Sequence, residues 1–91
     1  MVNTVGVVGL GLIGGSLAKA IHRYTDCTLL GIDCDRDVLD RALAEKVLAG
    51  ELTAERLADC DLVIVALYPS AAVEYVTAHR KDFRRGGLVM D

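Results

Sequence analysis

VGVVGLGLIGGS, residues Val5 to Ser16, runs an apolar segment straight into Gly9, Gly11 and Gly14 at the spacing G-x-G-x-x-G. Each glycine has a physical reason to be there. The first can turn the chain sharply out of a strand, the second lets backbone approach a pyrophosphate, and the third lets the following helix lie close to the sheet. The helix that follows offers unpaired N–H groups and the positive end of its dipole, which hold an anion without a basic side chain. Taken alone, the triplet also fits an ordinary turn, and nine glycines in 91 residues give chance some room. Its meaning depends on its flanks.

Thr4 to Val8 is short, β-branched and almost wholly apolar, as expected of a central parallel strand buried on both faces. Gly6 within it marks the close approach of a neighbour. From Ile13 the period changes to that of a helix, with Ile13, Leu17, Ala20, Ile21 and Tyr24 expected to face the core and Lys19, His22 and Arg23 to face water. Leu29 to Ile32 is a second apolar run and ends in Asp33, about 20 residues beyond the glycines, where a strand-helix-strand unit places its second strand end. A carboxylate there can accept hydrogen bonds from both adenosine ribose hydroxyls and would repel a 2′-phosphate. It could instead cap the next helix, a task that Asp35 could also perform. Arg36 is a cation that could meet a 2′-phosphate, but it sits three residues past the acid, so the expected cofactor is NAD.

A second helix is expected over Arg36 to Lys46, burying Val38, Leu39, Ala42 and Leu43, with Asp37, Arg41 and Glu45 paired at i, i+4 on its wet face. Glu51 to Thr53 can form only a clipped edge strand, followed by a small helix near Ala54 to Ala58. Leu62 to Leu67, LVIVAL, is the most hydrophobic run and is expected beside the first strand. In an open parallel sheet, ligands lie outside the carboxyl ends of the strands where the order reverses. Ala66, Leu67, Tyr68 and Pro69 should therefore border the nicotinamide half of a cleft, although Pro69-Ser70 could simply punctuate a strand and cap a helix. The next helix is expected to bury Val73 and Val76, with Phe83 near its end. Arg80, Lys81, Arg84 and Arg85 would complement its C-terminal dipole. Leu88 to Met90 opens a last strand, and the expectation is of an α/β, Rossmann-like open parallel sheet with helices on both faces, one truncated dinucleotide-binding domain over residues 1–91.

Composition sets limits on function. The chain is 53% hydrophobic and 25% charged, which is globular, and its net charge of −3 with a pI near 5.2 argues against a nucleic-acid partner. No apolar run approaches the ~20 residues of a membrane span. Cys27, Cys34 and Cys60 are odd in number and lack C-x-x-C spacing, so they read as reduced thiols in a cytoplasmic protein, with no metal site.

VGLGLIGGSLAKAI (Val8–Ile21), GID (Gly31–Asp33) and DLVIVALYP (Asp61–Pro69) together resemble the amino-terminal, nucleotide-binding half of prephenate dehydrogenases, over nearly the whole chain. The glycines and the acid are common to many NAD proteins; Leu12-Ile13-Gly14-Gly15-Ser16 and the AL-x-P strand end are more specific. The resemblance implies oxidative decarboxylation of prephenate or arogenate in tyrosine biosynthesis, with hydride passed to NAD. It places Gly9, Gly11, Leu12, Ile13 and Gly14 in the pyrophosphate loop, Asp33 at the ribose and Ala66 to Pro69 beside the nicotinamide. The family's catalytic serine and histidine and its substrate-binding arginine would come after the strand at Leu88, so this chain is expected to hold cofactor without turning over. A homodimer through a C-terminal helical domain is also implied. His22 and His79 lie on predicted helices away from the strand ends.

Two other classes fit part of the pattern. Dehydrogenases of the β-hydroxyacid type share the cofactor motif. So do nucleotide-sensing regulatory modules that gate potassium transport, which use the nucleotide as an allosteric ligand with no hydride chemistry. Their third strand would be fuller than the region between Lys46 and Ala54 allows, and a proline straight after LVIVALY departs from them.

Overall fold

The computed structural model describes residues 2–90. Five strands, β1 (Thr4–Val8), β2 (Thr28–Ile32), β3 (Gly50–Glu51), β4 (Leu62–Val65) and β5 (Leu88–Met90), form one sheet in the order β3-β2-β1-β4-β5. Every pairing is parallel. The chain moves outward from β1 through β2 to β3 and then returns to β4 on the other side of β1, so the order reverses between β1 and β4. Helices α1 (Leu12–Tyr24), α2 (Arg36–Ala44) and α3 (Pro69–Ala78) and a 3-10 helix (Glu55–Asp59) make the crossovers.

Strand alternation divides the core between the two faces of the sheet. Val5 and Val7 join Leu29, Ile64, Ala18 and Leu39 beneath α1 and α2, while Val8 joins Leu30, Val63, Val65, Leu57 and Ala72 beneath the 3-10 helix and α3. Gly6 points to the second face. A Cβ there would meet Leu52 Cδ2 at 2.9 Å and Cys60 Sγ at 3.0 Å, the close neighbour that its place in a strand implied. Cys60 is itself buried, and that burial pushes its thiol pKa up.

Helix α1 corrects the sequence expectation. Ile13 and Tyr24 are 72% and 76% exposed, and Leu17 and Ala20 also face outward; the buried positions are Gly14 and Ala18, with Ile21 partly covered. Residues 14, 18 and 21 follow a helical stripe as well as the large apolar set does. The stripe of small residues is the one that lets the axis come down onto the strands. In α3 the inward residues are Ala72, Tyr75 and Val76, and Val73 is exposed.

Helix α2 ends two residues early. Lys46 takes a φ of 61°, its N–H donates to Leu43 O at 3.1 Å, and Val47 N–H donates to Ala42 O at 3.1 Å. This is the Schellman stop usually made by glycine. The expected Asp37–Arg41–Glu45 pairs give way to Arg36–Asp40, with Nε 2.9 Å from Oδ1. β4 stops at Val65, so Ala66 and Leu67 belong to the following loop. Pro69 occupies the first turn of α3 without a side-chain cap, which places Ser70 inside the helix. The basic cluster falls past the end of α3, whose last turn holds no cation.

One member of that cluster, Arg84, pairs with Asp61, a half-buried carboxylate at the amino end of β4. Asp61 Oδ2 also accepts from Asn3 N–H at 2.8 Å and Thr4 N–H at 2.9 Å, and its carbonyl accepts from Leu88 N–H at 3.0 Å. The starts of β1, β4 and β5 are thereby tied at one residue. Asp61→Ala is expected to cost about 1–2 kcal/mol in urea unfolding, since it removes two backbone hydrogen bonds and the Arg84 pair, whereas Arg84→Met should cost under about 1 kcal/mol. For α1, Ala18→Leu should cost about 1–3 kcal/mol by overpacking, and Tyr24→Ser less than about 0.5 kcal/mol.

Candidate cofactor site at the carboxyl edge of the sheet

Three strand ends meet where the order reverses. Gly9 N–H donates to Ile32 O at 2.8 Å and Ala66 N–H to Val8 O at 2.8 Å, which sets the loops after β2, β1 and β4 side by side. Gly9 turns the chain with a φ of 92°, and a Cβ on it would lie 2.6 Å from Ala66 O. Gly14 is where α1 meets the loop: a Cβ would overlap the Gly9 carbonyl oxygen and come within 3.0 Å of Ala66 Cβ. Gly11, between them, has nothing within 4 Å of where its Cβ would be. Two glycines close the fold and the third leaves an open approach to backbone.

Gly11 is also the N-cap of α1 and supplies no side chain, so the first turn of the helix presents its N–H groups to an outside acceptor. Leu12 and Ile13, 89% and 72% exposed, stand at the surface of this first turn. The open face at Gly11 and the donor set fit a dinucleotide pyrophosphate.

Asp33 follows β2 directly. Its Oδ2 accepts from Leu10 N–H at 2.7 Å and its Oδ1 from Asp35 N–H at 2.8 Å. Each oxygen keeps a further lone pair for a hydroxyl. The carboxylate therefore fastens the glycine loop to the end of β2 while remaining half-exposed at the edge. The bond to Leu10 bridges 23 residues and has no signal in the sequence. The turn to Asp35 does have one, in the D-x-D spacing. Capping of α2 falls to Asp35, whose Oδ1 accepts from Asp37 N–H at 3.0 Å.

Beyond Asp33, toward the β3 edge, Arg36 also contacts Glu51, with Nη1 3.0 Å from Oε1. That hydrogen bond first, and the charges of Asp40 and Glu51 after it, raise the guanidinium pKa. On the β4 side, the four expected residues separate. Ala66 and Leu67 both lie against the glycine turn, Leu67 also packing onto the core, and Tyr68, 86% exposed, and Pro69 remain on the surface at the start of α3. His22 is exposed on α1. His79 caps the end of α3, with Nδ1 3.0 Å from Asp82 Oδ2 and its ring 4.4 Å from that of Tyr75. Neither histidine lies on a segment that forms the glycine edge.

A family model described as the NAD binding domain of 6-phosphogluconate dehydrogenase matches residues 4–91. Among solved structures, the arogenate dehydrogenase of Synechocystis superposes with a TM-score of 0.86 at 21% identity, covering 94% of this chain and 31% of that one. The prephenate dehydrogenase of A. aeolicus, solved with hydroxyphenyl propionate and NAD+, gives 0.76 at 21% identity over 96% and 32%. The 3-hydroxyisobutyrate dehydrogenase of Mycobacterium tuberculosis gives 0.78 at 24% identity over 98% and 31%. These likenesses show the fold, and the chain spans about a third of the length of each.

The glycines separate in a stability test. Gly14→Ala should cost about 3 kcal/mol, because backbone must move to admit the methyl group, and Gly11→Ala under about 1 kcal/mol, the difference between the two as N-caps. Thermal or urea unfolding of both variants reads the contrast.

Proposed function

The chain belongs to the family of the NAD binding domain of 6-phosphogluconate dehydrogenase, and from that premise we propose that it is the cofactor-holding part of a prephenate or arogenate dehydrogenase. It is an NAD-binding dehydrogenase domain. The finer reading is supported by Leu12-Ile13-Gly14-Gly15-Ser16 and the strand end Ala66-Leu67-Tyr68-Pro69, together with a fold shared with an arogenate and a prephenate dehydrogenase. The parent reaction would be oxidative decarboxylation of prephenate to 4-hydroxyphenylpyruvate, or of arogenate to tyrosine.

Bound NAD supplies the hydride acceptor. The chain's own residues bind and orient it: the open backbone at Gly11 and the first turn of α1 would take the pyrophosphate, Asp33 the ribose hydroxyls, and the Ala66–Pro69 edge would flank the nicotinamide half. An acid/base near the nicotinamide and a group for the substrate carboxylate are assigned to the remainder of the parent protein, in keeping with a chain about a third as long as its structural relatives. The parent is proposed to be a cytoplasmic homodimer joined through a helical domain outside this chain.

A dehydrogenase of the β-hydroxyacid type is the second reading, favoured by the family model and by the likeness to the 3-hydroxyisobutyrate enzyme. The potassium-transport sensor is disfavoured by β3, which is only two residues long.

Calorimetry should show NAD bound more tightly than NADP, with Asp33→Ala narrowing the gap and Gly11→Val abolishing binding while the domain stays folded. Tighter NADP binding by the unsubstituted protein would remove Asp33 from the ribose. NADH formation by the full-length protein with prephenate or arogenate tests the substrate, and activity confined to β-hydroxyacids would select the second reading.

A further inference from the structure

Arg36 is the first residue of α2 and the one cation among residues 33–40. A guanidinium beside the ribose acid is the group that would recognise a 2′-phosphate, since its planar donors match phosphate oxygens. In this structure Nε and Nη1 of that guanidinium are engaged by carboxylates that lie elsewhere. Nε lies 2.9 Å from Asp40 Oδ1 and Nη1 lies 3.0 Å from Glu51 Oε1. Asp40 is one helical turn along α2, and Glu51 ends β3, on the far side of β2 from the glycine loop. The guanidinium is thus drawn toward the outer edge of the sheet. Arg56, the other cation that reaches β3, turns to the Glu51 carbonyl oxygen at 3.5 Å.

The amino end of α2 offers a 2′-phosphate no substitute anchor. Asp35 caps it and Asp37 adds negative charge in its first turn, so the dipole that would attract phosphate is already answered. We propose that Asp40 and Glu51 are cofactor-specificity determinants that act through Arg36, holding its guanidinium away from the ribose and so withholding the cation that NADP would need. Discrimination then rests on three carboxylates and not on Asp33 alone. Removing Asp33 abolishes the direct repulsion but leaves Arg36 engaged, so that substitution by itself opens the site to NADP only in part. The inference rests on the reading that the chain binds NAD at this edge.

The test is calorimetric titration of the full-length protein with NAD and with NADP. The variants are Asp33→Ser, the same with Asp40→Asn and Glu51→Gln, and that triple variant with Arg36→Met added. Two exposed ion pairs of ordinary strength correspond to a rise in NADP affinity of about five- to tenfold from Asp33→Ser to the triple variant. NAD affinity should stay within about twofold of that of Asp33→Ser, and Arg36→Met should erase the gain. Glu51→Gln alone in the Asp33→Ser background, which leaves the Asp40 pair in place, should give about two- to threefold and carries the test should the triple variant fail to fold. NADP affinity that does not rise, or a rise that survives Arg36→Met, overturns the inference while NAD binding stands. Failure of the unsubstituted protein to bind either dinucleotide overturns the cofactor reading beneath it.

Discussion

How closely α1 can approach the end of β1 governs the rest of the structure. The helix begins three residues after the Gly9 turn and must pass over the Gly9 carbonyl and Ala66, where Gly14 leaves no room for a side chain. That contact fixes which stripe of α1 faces inward, and with it Ala18 and the seating of the helix on Val5 and Val7. It also points the first turn, with its uncapped N–H groups, at the crevice between β1 and β4. The packing requirement and the anion site are two results of one close approach.

The acid at the end of β2 completes this arrangement from the other side. Asp33 draws Leu10 N–H toward β2, so the glycine loop is braced by a strand it does not belong to. A carboxylate with one lone pair on each oxygen used by backbone, and others free, can be a structural tie and a hydroxyl acceptor together. The opposite end of the sheet has its counterpart in Asp61, which ties the starts of three strands and is clamped by Arg84. Negative charge is thus placed at both ends of the sheet where backbone N–H groups need acceptors.

Most of the fold was legible because its signals are local. Apolar β-branched runs, the change of period at Ile13, the glycine spacing and the strand-end acid each act over a few residues, and together they placed β4 beside β1, while the full order β3-β2-β1-β4-β5 came from the structure. Less legible was every choice between alternatives of equal local merit. Helix α1 has a large apolar stripe and a small one, and hydrophobicity alone selects the wrong one. Arg36 could pair within α2 or with any group its side chain could reach, and only the register of β3 against β2 brings Glu51 to it. The end of α2 depends on a left-handed lysine, a conformation no composition rule assigns to that residue.

The sequence by itself determined the parallel α/β architecture, the glycine turn and the identity of the strand-end acid, because spacing and residue type suffice to specify them. The tertiary structure alone decided that the small stripe of α1 is buried, that Asp33 binds the loop as well as facing the edge, that Ala66 and Leu67 turn into the fold while Tyr68 stays out, and that Arg36 is shared between two carboxylates. In each of these the deciding partner is distant in the chain or lies across an interface whose spacing is set by packing, and such distances exist only once the strands and helices are in place.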